Sequence, residues 1–312
     1  MKNMKAVRIH EYGGPEVLIF EEAPQPVSGS GEVLIRVHVA GVNPIDWKIR
    51  AGYLKDVHPY TFPLILGWDL SGVVEATGPG AGRFREGDEV YSRPDATRNG
   101  AYAEYIAVKE SEVAFKPRSI DHIHAGAIPH ACLTAWQAIF DTAGLSAGQK
   151  ILVHGAAGGV GSFAVQLAKW KGAYVIGTAS EDNQSFLQEL GVDEPIDYED
   201  TLFEDLVRDV DVVFDTVGGD TQKRSWKVLK KGGILVSIAA PPSAEEAAKN
   251  GVRQAYMWMA PNGAELAEIA ELVDLRKLSA VVETILPLSD ARQSHELIQM
   301  GPTRGKIVLR VL

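Results

Sequence analysis

The apolar positions of the chain fall into two textures. Through about residue 120 they occur in short runs that alternate with polar residues and are cut by Gly and Pro: KAVRIH, EVLIRVHVAGV, LSGVVEATG, DEVYS and AYAEYIAV. A period of two marks strands that bury one face. So many short strands with frequent breaks predict a compact, irregular β-barrel. From about 122 to 275 the apolar runs ILVHG, AYVIGTA, PIDY, VDVVFDTVG and GILVSIA alternate with helical spacing around 159–171, 184–190, 202–207 and 221–230. That alternation predicts a parallel sheet covered by helices on both faces. A helix over 264–278, the run VVETILPL, a helix over 290–300 and a last strand over 306–311 complete the chain, and the β texture of this ending predicts a return to the first region.

Within the second texture, ILVHGAAGGVGSFAVQLAKWKGAYVIGTAS at 151–180 sets an apolar strand, a glycine-dense turn, an amphipathic helix and a second strand in one order. Gly158 lets the backbone approach a pyrophosphate, Gly161 lets the helix press on the strand, and the N–H groups at the helix start face the phosphates. The motif is AxGxxG, with Ala156 where GxGxxG has its first glycine. Gly155, Ala156, Gly158, Gly159, Val160 and Gly161 are therefore candidate cofactor-binding residues. NAD-specific sites usually end the second strand in Asp or Glu, which grips the ribose hydroxyls. Here it ends in Thr178, Ala179 and Ser180. Thr178 and Ser180 can bond a 2′-phosphate, which favours NADPH over NADH, although Glu181 and Asp182 follow directly. Val217 and Gly218 end one later strand and Ile238 and Ala239 the next, at the carboxyl edge where ligands sit, and all four are expected to line the cofactor by backbone.

Composition narrows the class. At 312 residues, 46% hydrophobic and 23% charged, the chain suits two globular domains. A formal charge of −10 argues against a nucleic-acid partner, which would draw on a Lys/Arg surplus. The single cysteine, Cys132, excludes an internal disulfide and a multi-cysteine metal cage and fits a reducing compartment. No apolar run approaches membrane-spanning length and the first residues enter strand-like alternation, so the expectation is a cytoplasmic protein without a membrane partner.

Several separate pieces match one family: NPIDWKIRAG at 43–52, LGWDLSGVVEATGPGAGRFREGDEVY at 66–91, GAYAEY at 100–105, LTAWQAIF at 133–140, VHGAAGGVG at 153–161, FDTVGG at 214–219 and GKIVL at 305–309. Together they resemble the zinc-independent medium-chain dehydrogenase/reductases, most of all the NADPH:quinone oxidoreductase and alkenal reductase branch. The resemblance implies an α/β protein: a GroES-like β-barrel catalytic domain at 1–121, a Rossmann doubly wound parallel-sheet domain binding NADP at 122–279, and a C-terminal return to the catalytic domain at 280–312. It implies an active site between the domains and a homodimer. It also sets Asn43 beside the nicotinamide, Thr134 against the cofactor and Tyr198 in the 2′-phosphate pocket; a compensating cation there, if the pocket has one, is expected from Arg304 or Lys306. Asp46 reads equally as a cap of a short helix or as a site residue.

In the zinc-dependent relatives the positions of Asn43 and Trp68 carry a cysteine and a histidine that bind the metal. Neither an amide nor an indole is a normal zinc ligand, so no metal site is expected. Cys132 and His130 lie near a third ligand position and read as packing or pocket residues. Without a Lewis acid for an alkoxide, the reaction the resemblance implies is reduction of a quinone or an α,β-unsaturated carbonyl by direct hydride transfer from NADPH. Tyr53, Trp68, Met257 and Trp258 are candidates for an apolar acceptor pocket. No Ser/His/Asp set or carboxylate pair stands out as catalytic. Two alternatives remain at this stage: an enoyl-thioester reductase of the same superfamily, and a nucleotide-binding regulatory or structural protein with little catalysis.

Overall fold

The computed structural model describes residues 2–301 and 304–312. The chain forms two compact units, one of residues 1–133, 260–276 and 280–312 and one of residues 134–259 and 277–279.

The first unit is built on the long strand Glu32–Val42, which pairs antiparallel with Leu70–Thr77, Tyr105–Lys109 and the C-terminal strand Lys306–Arg310. Beyond these the sheet continues through Glu89–Ser92 to Val113–Phe115 on one side and to Val282–Pro287 on the other. Two irregularities in register, at Leu34/Ile35 and Val37/Val39, mark where the long strand bends. A three-stranded sheet of Ile19–Pro24, Asn3–Ile9 and Leu64–Ile65 lies in the same unit. Its core includes Ile9, Ile35, Ile49, Leu66, Trp68, Leu70 and Tyr102. The helix Gly263–Asp274, expected to extend to 278 within the nucleotide region, belongs to this unit: Tyr91 Oη donates to the Leu266 carbonyl, and Asp274 accepts from the N–H groups of Arg118 and Ser119.

The second unit holds a six-stranded parallel sheet in the spatial order Glu194–Asp197, Tyr174–Ala179, Lys150–Val153, Val210–Asp215, Leu229–Ser237, Arg253–Tyr256. Numbered along the chain this is 3-2-1-4-5-6, the doubly wound order, and the order reverses between the first and fourth strands. The turns after Val153 and Asp215 therefore flank the switch point. The helix Gly159–Trp170 buries Phe163, Ala164, Val165, Leu167 and Ala168. Two expectations change here. The helix expected over 221–230 is Gly219–Ser225, and Lys230 to Gly233 already belong to the fifth strand. The edge strand Arg253–Tyr256 carries too few apolar residues to announce itself. No helix among the described residues is long and apolar enough to cross a membrane.

Gly161 is the tightest point of the glycine turn. A Cβ there would lie 2.1 Å from the Gly155 carbonyl oxygen and 2.8 Å from Ala156 Cα, both backbone atoms that cannot swing aside. Gly161→Ala is expected to cost about 2–3 kcal/mol of stability in urea unfolding, the range of an overpacked core position. Gly82→Ala, where a Cβ meets nothing within 4 Å, is the near-neutral control.

Candidate active site

In the second unit the glycine-rich turn carries the chain from strand to helix at the switch point. Gly155 takes φ +65°, open to glycine at little cost, and Gly158 caps the helix with extended backbone and no side-chain hydrogen bond. The first-turn N–H groups of Gly159, Val160 and Gly161 have no carbonyl one turn earlier within the helix. Gly158, Gly159 and Val160 remain partly exposed. Backbone donors, the positive end of a twelve-residue helix and glycines at 158 and 159 that add no Cβ there fit the pyrophosphate of a dinucleotide.

Two buried polar groups brace this edge. Thr178 Oγ1 donates to His154 Nδ1 at 3.1 Å and accepts from the Gly155 N–H at 3.3 Å, while His154 Nε2 donates to Ser225 Oγ at 2.9 Å. Ser225 Oγ donates onward to the Thr221 carbonyl, which fixes this tautomer. Burial brings the His154 pKa down to about 4, so the ring is neutral. Thr178, expected to meet a 2′-phosphate, is 3% exposed with its hydroxyl committed to the turn, and it supports the cradle from beneath. Asp215 does the same for the neighbouring turn. Its Oδ1 accepts from the N–H groups of Val217 and Gly218 at 3.0 and 2.8 Å, and its Oδ2 from Ser237 Oγ and Gln222 Nε2 at 2.8 and 2.9 Å. Ser237 Oγ in turn accepts from the N–H groups of Ala239 and Ala240. The Asp215 carboxylate thus holds Val217 and Gly218 directly and Ala239 through Ser237, while Ile238 donates its N–H to the Asp215 backbone carbonyl at 3.1 Å, all at the sheet edge that carries the glycine turn.

Ser180 follows the strand end, partly exposed, and its Oγ accepts from Asn183 Nδ2 at 3.0 Å. Tyr198 donates its backbone N–H to the Ala179 carbonyl at 3.2 Å, with 47% of the residue exposed. The two expected contributors to a 2′-phosphate pocket therefore end adjacent paired strands. Thr134 is buried in the helix Pro129–Trp136.

In the first unit Asn43 ends the extended strand and opens the helix Pro44–Arg50. Its amide is held at both ends: Nδ2 donates to Asp69 Oδ2 at 3.1 Å and Oδ1 accepts from Lys306 Nζ. Lys306 Nζ also donates to the Val42 carbonyl at 3.1 Å and pairs with Asp69 Oδ2 at 3.2 Å, the two side chains being 4% and 0% exposed. Asp69 Oδ1 accepts from the His130 N–H at 3.2 Å. Burial pushes the Asp69 carboxyl above its usual range, against the pull of Lys306 and these hydrogen bonds. Lys306 thus corrects the expectation of a phosphate partner, because its ammonium is spent on Asp69, Asn43 and Val42. Arg304 is exposed, and its backbone N–H donates to Glu283.

Asp46 lies one turn on, fully buried. Its Oδ2 accepts from the Asn43 N–H at 2.8 Å and from Tyr102 Oη at 3.1 Å, while Oδ1 has no partner. Tyr102 Oη meets His295 Nε2 at 3.2 Å, and His295 Nδ1 faces Arg50 at 3.4 Å. Burial raises the Asp46 pKa to about 7, although the Asn43 and Tyr102 bonds and the Lys306 charge oppose it.

The aromatic candidates divide. Tyr53 and Trp258 are 70% and 56% exposed, and Met257 is half-buried with its N–H on the Ser237 carbonyl. Trp68 is a correction: it is fully enclosed in the core, with its indole N–H donating to the Arg98 carbonyl at 2.9 Å, and it has no face left for an acceptor. Cys132 is fully buried and its thiol pKa is raised by burial, as befits a packing residue. Asp69, Asp215 and His154 went unread as site residues, although each is a lone polar residue inside an apolar run, in LGWDLSG, VVFDTVG and ILVHG.

Comparison with known proteins adds a family. Residues 29–118 match the family model described as Alcohol dehydrogenase GroES-like domain, and residues 190–309 the one described as Zinc-binding dehydrogenase. The chain is 34% identical to mouse NAD(P)H oxidoreductase RTN4IP1, mitochondrial, over 99% of this chain and 89% of that protein. It is 34% identical to 2-methylene-furan-3-one reductase of Solanum lycopersicum, over 98% and 79%. Among solved structures, the quinone oxidoreductase from Coxiella burnetii superposes with a TM-score of 0.93 at 35% identity, covering all of both chains.

The raised pKa of Asp46 has a thermodynamic consequence. Between about pH 4 and about pH 7 the folded protein keeps a proton that the unfolded chain has released, so this carboxyl lowers stability as pH rises through that window. His154 and His295, depressed to about 4 and about 3, contribute the opposite slope, present in wild type and variant alike. Asp46→Asn should therefore gain stability relative to wild type progressively across the window, by about 4 kcal/mol in all, in urea unfolding at a series of pH values. A difference independent of pH would mean that the carboxyl is ionised throughout.

Proposed function

The chain belongs to the medium-chain dehydrogenase/reductases, in the quinone oxidoreductase branch, and from that membership we propose that it is an NADPH-dependent reductase of quinones or α,β-unsaturated carbonyls that works by direct hydride transfer without a metal. Its class is that of an oxidoreductase with a nicotinamide cofactor. The observation that carries the metal-free reading is the state of Asn43. At the place where zinc-dependent relatives hold a thiolate, this side chain turns its amide oxygen to a lysine ammonium and its amide nitrogen to a carboxylate. A cation already occupies the acceptor side of the residue. Trp68, at the second metal position, has its only polar atom bonded to backbone, and among the described residues no three His, Cys, Asp or Glu side chains form a metal-ligand group.

When bound, a reduced nicotinamide supplies a hydride at C4, and a conjugated carbonyl accepts it without a Lewis acid. The chain's own contribution is position. The turn at Gly155–Gly161 holds the phosphates, Asp215 and Ser237 fix the backbone of Val217, Gly218, Ile238 and Ala239, and Asn43 is immobilised for the nicotinamide. The tomato relative's name, a reductase of a methylene-furanone, supports an activated alkene as acceptor. For the cofactor, the support is a strand followed at its end by Ser180 rather than a carboxylate, with Tyr198 after the neighbouring paired strand.

Two measurements test this. NADPH should be oxidised by a p-quinone or an alkenal, with chelator leaving the rate unchanged; tight NADPH binding with no turnover across such a panel would overturn the reductase reading. Ser180→Asp should raise KM for NADPH on the order of tenfold or more while leaving KM for NADH within a few-fold, since a carboxylate repels the 2′-phosphate and grips a ribose hydroxyl. An unchanged ratio would remove Ser180 from the phosphate site.

A further inference from the structure

Arg93 directly follows the strand Glu89–Ser92 and is only 7% exposed. Its Nε donates to His130 Nδ1 at 3.4 Å. Among the described residues its two terminal nitrogens have no hydrogen-bond partner, and no carboxylate is within ion-pair distance. Asp46, Asp95, Asp69 and Glu112 act on it only as more distant charges. A guanidinium stays protonated at every physiological pH, and burying one without a partner is costly. The terminal nitrogens are not among the side-chain atoms sealed from solvent without a partner, as Asp46 Oδ1 is. Nε of the fork is anchored, and the terminal nitrogens keep a narrow access to solvent.

The anchor ties this cation to the candidate site. Burial and the charges of Arg93 and Lys306 hold His130 well below the usual histidine range, so its neutral ring accepts at Nδ1. The His130 N–H donates to Asp69, and Asp69 holds Asn43. Arg93 is therefore linked to Asn43 through two residues of the same unit.

We propose that Arg93 is a catalytic residue that binds the carbonyl oxygen of the acceptor through its terminal N–H groups and stabilises the negative charge that develops there. The proposal rests on the reductase reading and narrows its substrate class to acceptors whose reacting carbon is conjugated to an accessible carbonyl oxygen. The acceptor takes a hydride, with both electrons of the broken C–H bond, from the reduced dinucleotide. Its π electrons move through the conjugated system onto the oxygen, giving an enolate or hydroquinonate held by Arg93. The dinucleotide is left oxidised, the reduced acceptor takes its proton from solvent, and Arg93 keeps its protons throughout.

The test compares wild type with Arg93→Met, which removes the charge, and Arg93→Lys, which keeps charge without the fork. NADPH affinity and thermal unfolding show whether fold and cofactor half are intact. The probe for the oxygen site is p-nitrophenolate, planar with a conjugated oxyanion, set against the neutral p-nitroanisole. Wild type should favour the phenolate by about tenfold or more, and Arg93→Met should lose that preference and lower kcat for an enone about 100-fold with KM changed only a few-fold, the size expected for removing one oxyanion donor. Arg93→Lys should recover part of both. A folded Arg93→Met protein that binds NADPH normally and keeps kcat and the phenolate preference within about threefold of wild type overturns the proposal. If Arg93→Met does not fold, Arg93→Lys decides by the same two readouts, wild-type values in both again overturning it. Absence of enone and quinone turnover in wild type would sink the reductase reading instead, and the phenolate comparison would still decide whether Arg93 is an oxyanion site.

Discussion

The ion pair between Lys306 and Asp69, sealed inside the first unit with Asn43 between them, is the constraint on which the candidate chemistry depends. Two charges removed from water tolerate that position only if every remaining polar atom finds a partner. Here the partners are the Val42 carbonyl, the Asn43 amide and the His130 N–H. The cluster joins the C-terminal strand to the end of Glu32–Val42 and to the segment leading into Leu70–Thr77. Removing either charge would strand the other, at a cost of about 3–5 kcal/mol. Its consequence for function is local: Asn43 is left with one orientation, its oxygen on a cation and its nitrogen on an anion.

The second unit solves a similar problem with neutral groups and one carboxylate. A dinucleotide edge needs backbone close to the ligand, so the supporting side chains must lie behind it. Thr178 and His154 stand behind the glycine turn, and Asp215, Ser237 and Gln222 behind the turns that end the fourth and fifth strands. Each is buried, and each ends on a backbone N–H of the loop it supports or on a neighbour that does. Such preorganisation spares the ligand the ordering cost of flexible loops.

The two units place charge differently. The first unit encloses charged groups of both kinds: Lys306 is paired with Asp69, Arg50 is bonded to Gln299 beside His295, and Arg93 is anchored at one nitrogen only. A developing oxyanion is the complementary charge, which joins the metal-free reading to the role given to Arg93.

Periodicity and the glycine motif determined much of the architecture. The alternation of strand and helix runs fixed the parallel sheet, and the turn from Gly155 to Gly161 was legible because only glycine allows the backbone approach that the geometry requires. The place of Val217, Gly218, Ile238 and Ala239 just past the carboxyl ends of the fourth and fifth strands was legible in the same alternation. Short or polar strands escaped notice, as at Leu64–Ile65 and Arg253–Tyr256, because a few residues hold no period. The roles of long polar side chains were decided by tertiary structure alone. Lys306 was free to serve a phosphate until packing set it against Asp69, Thr178 and Trp68 looked available until burial enclosed them, and Arg93 carried no signal at all. Backbone conformation and apolar periodicity are local properties written in neighbouring residues, whereas the partner of a buried charge is set by segments more than two hundred residues apart, as Asp69 and Lys306 are, and only the folded chain brings them together.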